Sequence, residues 1–92
     1  DRAVDNVMAV YLKPQIIYRV QLGAFGSKSN ADAFLLKIKV LPDTIGAGYK
    51  NAYIRKIGKY YKVQVGAFSV KANAIKVIND LKSKGYNAFL TT

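Results

Sequence analysis

The chain has 92 residues and contains no cysteine, no histidine and no glutamate. Without cysteine there can be no disulfide, no thiolate zinc site and no cysteine nucleophile. Its carboxylates are Asp1, Asp5, Asp32, Asp43 and Asp80. Most metal-site, acid–base and triad chemistry lacks its raw material here, so no catalytic residue, no metal and no cofactor is expected. Long apolar runs are missing too. The longest, Val7 to Leu12, is far short of the ~18 residues of a membrane-spanning helix. The start does not read as a signal peptide, because Arg2 is flanked by Asp1 and Asp5 and Lys13-Pro14 ends the apolar stretch. The chain opens on Asp1 rather than Met and reads as a piece of a longer one; residues 1–15 lie outside the repeat that fills the rest and are expected to be a linker or the tail of a preceding domain.

Hydrophobic residues make up 51% and charged residues 22% of the chain, a globular composition. A domain of this size buries roughly 60% of its unfolded surface. Fifteen Lys and Arg stand against five Asp, for a net charge of +10. That imbalance points to an anionic partner: nucleic acid, an acidic membrane or an anionic cell-wall polymer.

A repeat runs through the sequence. Tyr18-Arg19-Val20-Gln21-Leu22-Gly23-Ala24-Phe25 answers, 43 residues on, to Tyr61-Lys62-Val63-Gln64-Val65-Gly66-Ala67-Phe68, with six of eight positions identical. Lys28, Asn30, Ala31 and Lys39 match Lys71, Asn73, Ala74 and Lys82, and Ala52-Tyr53-Ile54 resembles Ala88-Phe89-Leu90. Each half reads as strand, helix, strand. In the repeated strands, alternation puts Tyr18, Val20, Leu22 and Ala24 on one face and Arg19, Gln21, Gly23 and Phe25 on the other; the second copy does the same. One sheet face should bury and the other stay open.

Helical spacing of Ala31, Phe34, Leu35, Ile38 and Leu41, and of Ala74, Val77, Ile78 and Leu81, predicts two amphipathic helices. Ser27 and Ser69 are placed to cap them. Pro42 limits the first and Gly85 ends the second. Pro42 to Lys50 reads as a plain loop. Gly58-Lys59 fits a type II′ hairpin that pairs Arg55 with Lys62 and Tyr53 with Gln64. The order β-α-β-β-α-β with right-handed crossovers gives a four-stranded antiparallel sheet of order 4-1-3-2 with both helices on one face, the ferredoxin-like α+β fold.

On the open face this reading gathers Gln21 and Gln64 at the centre, the aromatics Phe25, Phe68, Tyr53, Tyr60 and Phe89, and the cations Arg19, Arg55 and Lys62, with Lys56 and Lys59 nearby. Flat rings cover apolar faces of sugars or bases, amides bond polar edges, and cations meet carboxylate or phosphate. That combination suits a long, polar, partly anionic ligand.

The string Tyr-x-Val-Gln-x-Gly-Ala-Phe, present twice with a helix opening near Lys-x-Asn-Ala after each copy, resembles the sporulation-related repeat, the SPOR domain, over residues 16–92. The resemblance implies the fold given above and a non-catalytic module that binds peptidoglycan glycan strands lacking stem peptides. It implies a bacterial cell-wall location, extracellular or periplasmic, at a septum or spore wall or on a host wall attacked by a phage endolysin. It also implies a covalently linked upstream domain, for which an N-acetylmuramoyl-L-alanine amidase or a division protein is the expected kind. Carried over by motif, the glycan-contacting Gln falls on Gln21, with Gln64 as its mate, and the last strand's aromatic on Phe89. The connection from Pro42 to Lys50 is longer than the family's usual short turn, so no contact is carried over there. No membrane insertion or nucleic-acid partner is implied.

A single-stranded RNA-binding domain of the RNA-recognition-motif type is the alternative, because it shares the element order and is often basic. Its third strand would carry central stacking aromatics, where this chain has Gln64. An enzyme would have to use Asp32 and Asp80, both on helical stretches behind the sheet.

Overall fold

A computed structural model describes residues 16–92. The linker or tail expected at residues 1–15 lies outside the described residues. Strand β1 (Tyr18–Phe25) leads to helix α1 (Lys28–Lys39), a short 3₁₀ turn (Tyr49–Asn51), the β2–β3 hairpin (Tyr53–Ile57 and Tyr60–Phe68), helix α2 (Lys71–Ser83) and strand β4 (Phe89–Thr91). The sheet is antiparallel with order β2-β3-β1-β4, the expected ferredoxin-like arrangement. No helix among the described residues is long and apolar enough to cross a membrane.

The hairpin has the expected register, Tyr53 opposite Gln64 and Arg55 opposite Lys62. Gly58 has φ of +61° and Lys59 is not left-handed, as a II′ turn requires. The core is the helix side of the sheet. Val20, Leu22, Ile38, Val63, Val65, Val77, Ile78 and Leu81 are buried there, with Phe34, Leu35 and Ile54 packed against them.

The helix ends differ in part from expectation. Ser27 precedes α1 but caps no backbone N–H, its hydroxyl meeting Ser29 instead at 2.9 Å; α2 is preceded by Val70 rather than capped by Ser69. The end of α2 is as anticipated: Gly85 has φ of +90°, and the N–H groups of Gly85 and Tyr86 reach the carbonyls of Lys82 and Leu81 at 3.0 Å, a Schellman closure.

The connection from Pro42 to Lys50 is built rather than plain. Asp43 accepts the N–H groups of Ala47 (2.6 Å) and Gly48 (2.8 Å), which closes the turn around left-handed Gly46 and Gly48. Tyr49 behind it is fully buried and donates its hydroxyl to the carboxylate of Asp80 on α2.

Candidate functional site

The site begins with a fault in each central strand. In β1, Gln21 faces Gln64 and Gly23 faces Val63, leaving Leu22 as an extra residue; in β3, Gly66 and Ala67 together oppose Arg19. These are β-bulges, one per repeat, beside the shared glycine of the string: just before Gly23 in β1 and at Gly66-Ala67 in β3. A bulge reverses the alternation beyond it. Ala24 and Ala67, expected inside, are therefore exposed, and the phenylalanines that follow turn inward.

Phe25 and Phe68 thus do not belong to the open face, contrary to the strict alternation read from the sequence. Phe25 packs on the core, its ring 5.3 Å from that of Phe34 on α1. Phe68 also packs on the core and lines a groove with Val77 of α2. The glycines explain how the rings fit. A Cβ on Gly23 would stand 2.9 Å from the Phe25 ring, and one on Gly66 would fall within the Phe68 ring itself. Gly66 is also left-handed, with φ of +74°, while Gly23 is not. Each glycine makes room for the aromatic two residues on.

The remaining open-face residues stand in a cross-strand row. By register Tyr53 is opposite Gln64, Gln64 opposite Gln21, and Gln21 opposite Phe89. The row is aromatic, amide, amide, aromatic. Gln64 Nε2 donates to Gln21 Oε1 at 3.2 Å. The Tyr53 hydroxyl donates to the Gly66 carbonyl at 2.6 Å, which ties that ring to the bulge. Phe89 is exposed at the other end.

The amides are more deeply set than a half-solvated face suggests: Gln21 is 6% and Gln64 1% exposed. Longer side chains at neighbouring register positions, Tyr53, Lys62, Arg19 and Phe89, surround them. Gln64 Oε1 is buried and has no hydrogen-bond partner among the described residues. An unpaired buried acceptor costs about 1–3 kcal/mol, so this oxygen favours any donor that reaches it.

Charge on the face is of one sign. Arg55 and Lys62 lie one step along the strands from the amide row, and Arg19 lies on the other side of it, opposite Thr91. Tyr60 carries Lys59 Nζ 5.6 Å from its ring centroid. Lys56, counted among the ringing cations by sequence, turns to the helix side and sits over Tyr61 at 5.3 Å. The described carboxylates are all elsewhere. Asp32 pairs with Lys28 at 2.9 Å, Asp43 closes its own loop, and Asp80 pairs with Lys84 at 2.7 Å. Among the described residues no group of three potential ligands gathers to hold a metal.

Sequence reasoning missed Tyr49 and Asp43; glycine within both repeated strands, at Gly23 and Gly66, does signal a bulge or a close backbone approach, but strict alternation carried past it misplaces the residues that follow.

Among curated proteins no relative matches this chain. Among solved structures, the solution structure of the peptidoglycan binding domain of the B. subtilis cell wall lytic enzyme CwlC is similar, at 32% identity with a TM-score of 0.65, covering 87% of this chain and 96% of that one. The SPOR domain family model matches residues 14–92, which takes in every element of the fold and both copies of the repeated strand, and the chain belongs to the SPOR domain family.

Proposed function

We propose that this domain is a peptidoglycan-binding module without catalytic action of its own, and that its ligand is a glycan strand stripped of stem peptides. The carrying observation is the sunken amide pair, Gln21 and Gln64, with the unpartnered Gln64 Oε1 at the centre of a face flanked by Tyr53 and Phe89. Sugar hydroxyl and acetamido groups supply the donors such an oxygen lacks once the side chains covering it move aside, and ring faces suit the apolar sides of sugars. The similarity to the peptidoglycan binding domain of CwlC supports the same ligand class.

The preference for stripped strands rests on charge and shape. Removing a stem peptide frees the lactyl carboxylate of muramic acid, so a stripped strand is a regular polyanion. Arg19, Arg55 and Lys62 face it with no described acid among them. An intact strand carries bulky peptides that a sheet face excludes. A module of this kind places a linked protein, such as a wall amidase, where such strands accumulate, at a septum or spore wall.

Sedimentation with amidase-treated and untreated peptidoglycan tests the reading. The domain should pellet with the treated wall in preference and release no sugar or peptide. Gln21→Ala keeps the net charge and should weaken binding by about 1–2 kcal/mol. Phe89→Ala should weaken it equally at low and high salt, because ring–sugar contact is not screened. Equal pelleting with both walls removes the stripped-strand preference. Wild-type binding by both variants removes the open-face site.

A further inference from the structure

The open face has a near-twofold symmetry that fails at one position. The repeat relates Gln21 to Gln64, Arg19 to Lys62 and Tyr53 to Phe89. It also relates Arg55 to Thr91, which lies two residues after Phe89 as Arg55 lies two after Tyr53. On one side of the amide row the facing pair is Arg55 with Lys62; on the other it is Thr91 with Arg19. One end of the face is doubly cationic and the other singly.

The doubled end is unfavourable for the free domain. Like charges directly opposite on a sheet repel. Both side chains are half-buried, where salt screens less well than in open water. Neither has an acidic partner among the described residues, whose ion pairs are Lys28 with Asp32 and Lys84 with Asp80, on the helices. Thr at position 91 shows that the fold is built with a neutral residue at the equivalent place.

We infer that Arg55 and Lys62 form a carboxylate subsite, present at one end of the face only, whose mutual repulsion is relieved when the ligand's acid group seats between them. Resting on the glycan reading, this names the group recognised and gives the bound strand one preferred direction. The amide row alone, being nearly symmetric, would accept the strand either way round.

Two measurements test it on the full chain. The first uses no ligand. Arg55→Gln and Lys62→Gln should each raise Tm at low salt by about 1–5 °C. The double variant should gain less than the sum, and the gain should fade at high salt. Arg19→Gln, with Thr91 opposite, should show no such gain. The second titrates amidase-treated glycan fragments and the same fragments with their carboxylates methyl-esterified. Esterification should cost the wild type about fivefold in affinity. It should cost the Arg55→Gln, Lys62→Gln double variant at most about twofold, while Arg19→Gln should keep nearly the wild-type sensitivity. Unchanged or lower Tm in the single variants overturns the stored repulsion. Equal wild-type affinity for acid and ester overturns the subsite but leaves the glycan reading standing. No binding to either form overturns the glycan reading and this assignment with it.

Discussion

The two halves of the molecule share a strand string and differ in how each helix is joined to the strand after it. Through the string they match residue by residue: both β1 and its counterpart in β3 run half-buried, three buried positions, then Gly, an exposed Ala and an inward Phe. The joins diverge. After α2 the chain turns within a few residues through Gly85. After α1 it makes a closed loop on Asp43 and a 3₁₀ turn before β2. Yet each join sends a tyrosine to the other half's helix. Tyr49 bonds Asp80 on α2, and Tyr86 meets the Phe34 ring on α1 edge-on at 5.9 Å. The repeat therefore fixes what surrounds the central amide pair, and the joins fasten the halves together by different chemistry.

The strongest way to break the equivalence is in the core. Ile38 and Leu81 occupy matching helix positions and both are fully buried. Ile38→Ala and Leu81→Ala should each cost about 2–5 kcal/mol in urea unfolding. A large loss from only one would show that the halves do not share one core. The bulges come next, and there the halves should separate. Gly66→Ala adds left-handed strain, roughly 1–2 kcal/mol, to displacement of the Phe68 ring, for a total of about 2–4 kcal/mol. Gly23→Ala has no such strain and need only move the Phe25 ring, at about 1–2 kcal/mol. Equal costs would mean that ring displacement, not backbone conformation, dominates at both bulges.

Those bulges also mark where sequence reading stopped. Strand order, hairpin register and core helices follow from periodicity, because apolar spacing and a Gly-Lys turn each admit one consistent arrangement. The open-face positions before the bulge, Arg19, Gln21, Tyr60, Lys62 and Gln64, follow as well, and so do Tyr53, Arg55 and Phe89 on the outer strands. Phe25 and Phe68 do not. Strict alternation has no place for an extra residue, and one extra residue reverses every side chain after it. Tyr49 was invisible for another reason: the partner of its hydroxyl is Asp80, 31 residues away, which no local pattern reports.

The joins offer a smaller contrast. Tyr49→Phe removes a hydroxyl that bonds a carboxylate and should cost about 1–2 kcal/mol. Tyr86→Phe keeps the ring edge on Phe34 and should stay within about 0.5 kcal/mol. Thermal melts of the two variants check this. Matching losses would place the fastening in ring burial alone.

The smallest effect expected is a difference in how the two joins respond to pH. The Lys84 ammonium, and then the Tyr49 hydroxyl, hold the Asp80 carboxyl below the usual carboxylate range; the N–H groups of Ala47 and Gly48 do the same for Asp43. Both groups therefore bind a proton less readily folded than unfolded. Their stabilisation is fully present above the unfolded value near about 4 and is lost as pH falls through the lower folded values. Burial, and then the bond to Asp80, push the Tyr49 hydroxyl up, so its stabilisation is present below the unfolded value near about 10 and is lost as pH rises beyond it. Asp43 and Tyr49 fasten the join after α1, while Asp80 ties that join to α2 and also pairs with Lys84 at the end of the helix. The join after α2 closes through backbone bonds from Gly85 and Tyr86, which do not titrate. Hydrogen-exchange protection factors should therefore fall at acid pH for the Ala47 and Gly48 amides before they fall for Tyr86. Asp43→Asn should remove part of the acid response at Ala47 and Gly48 and leave Tyr86 unchanged. If all three amides lose protection together, the acid transition is global and the joins are not independently fastened.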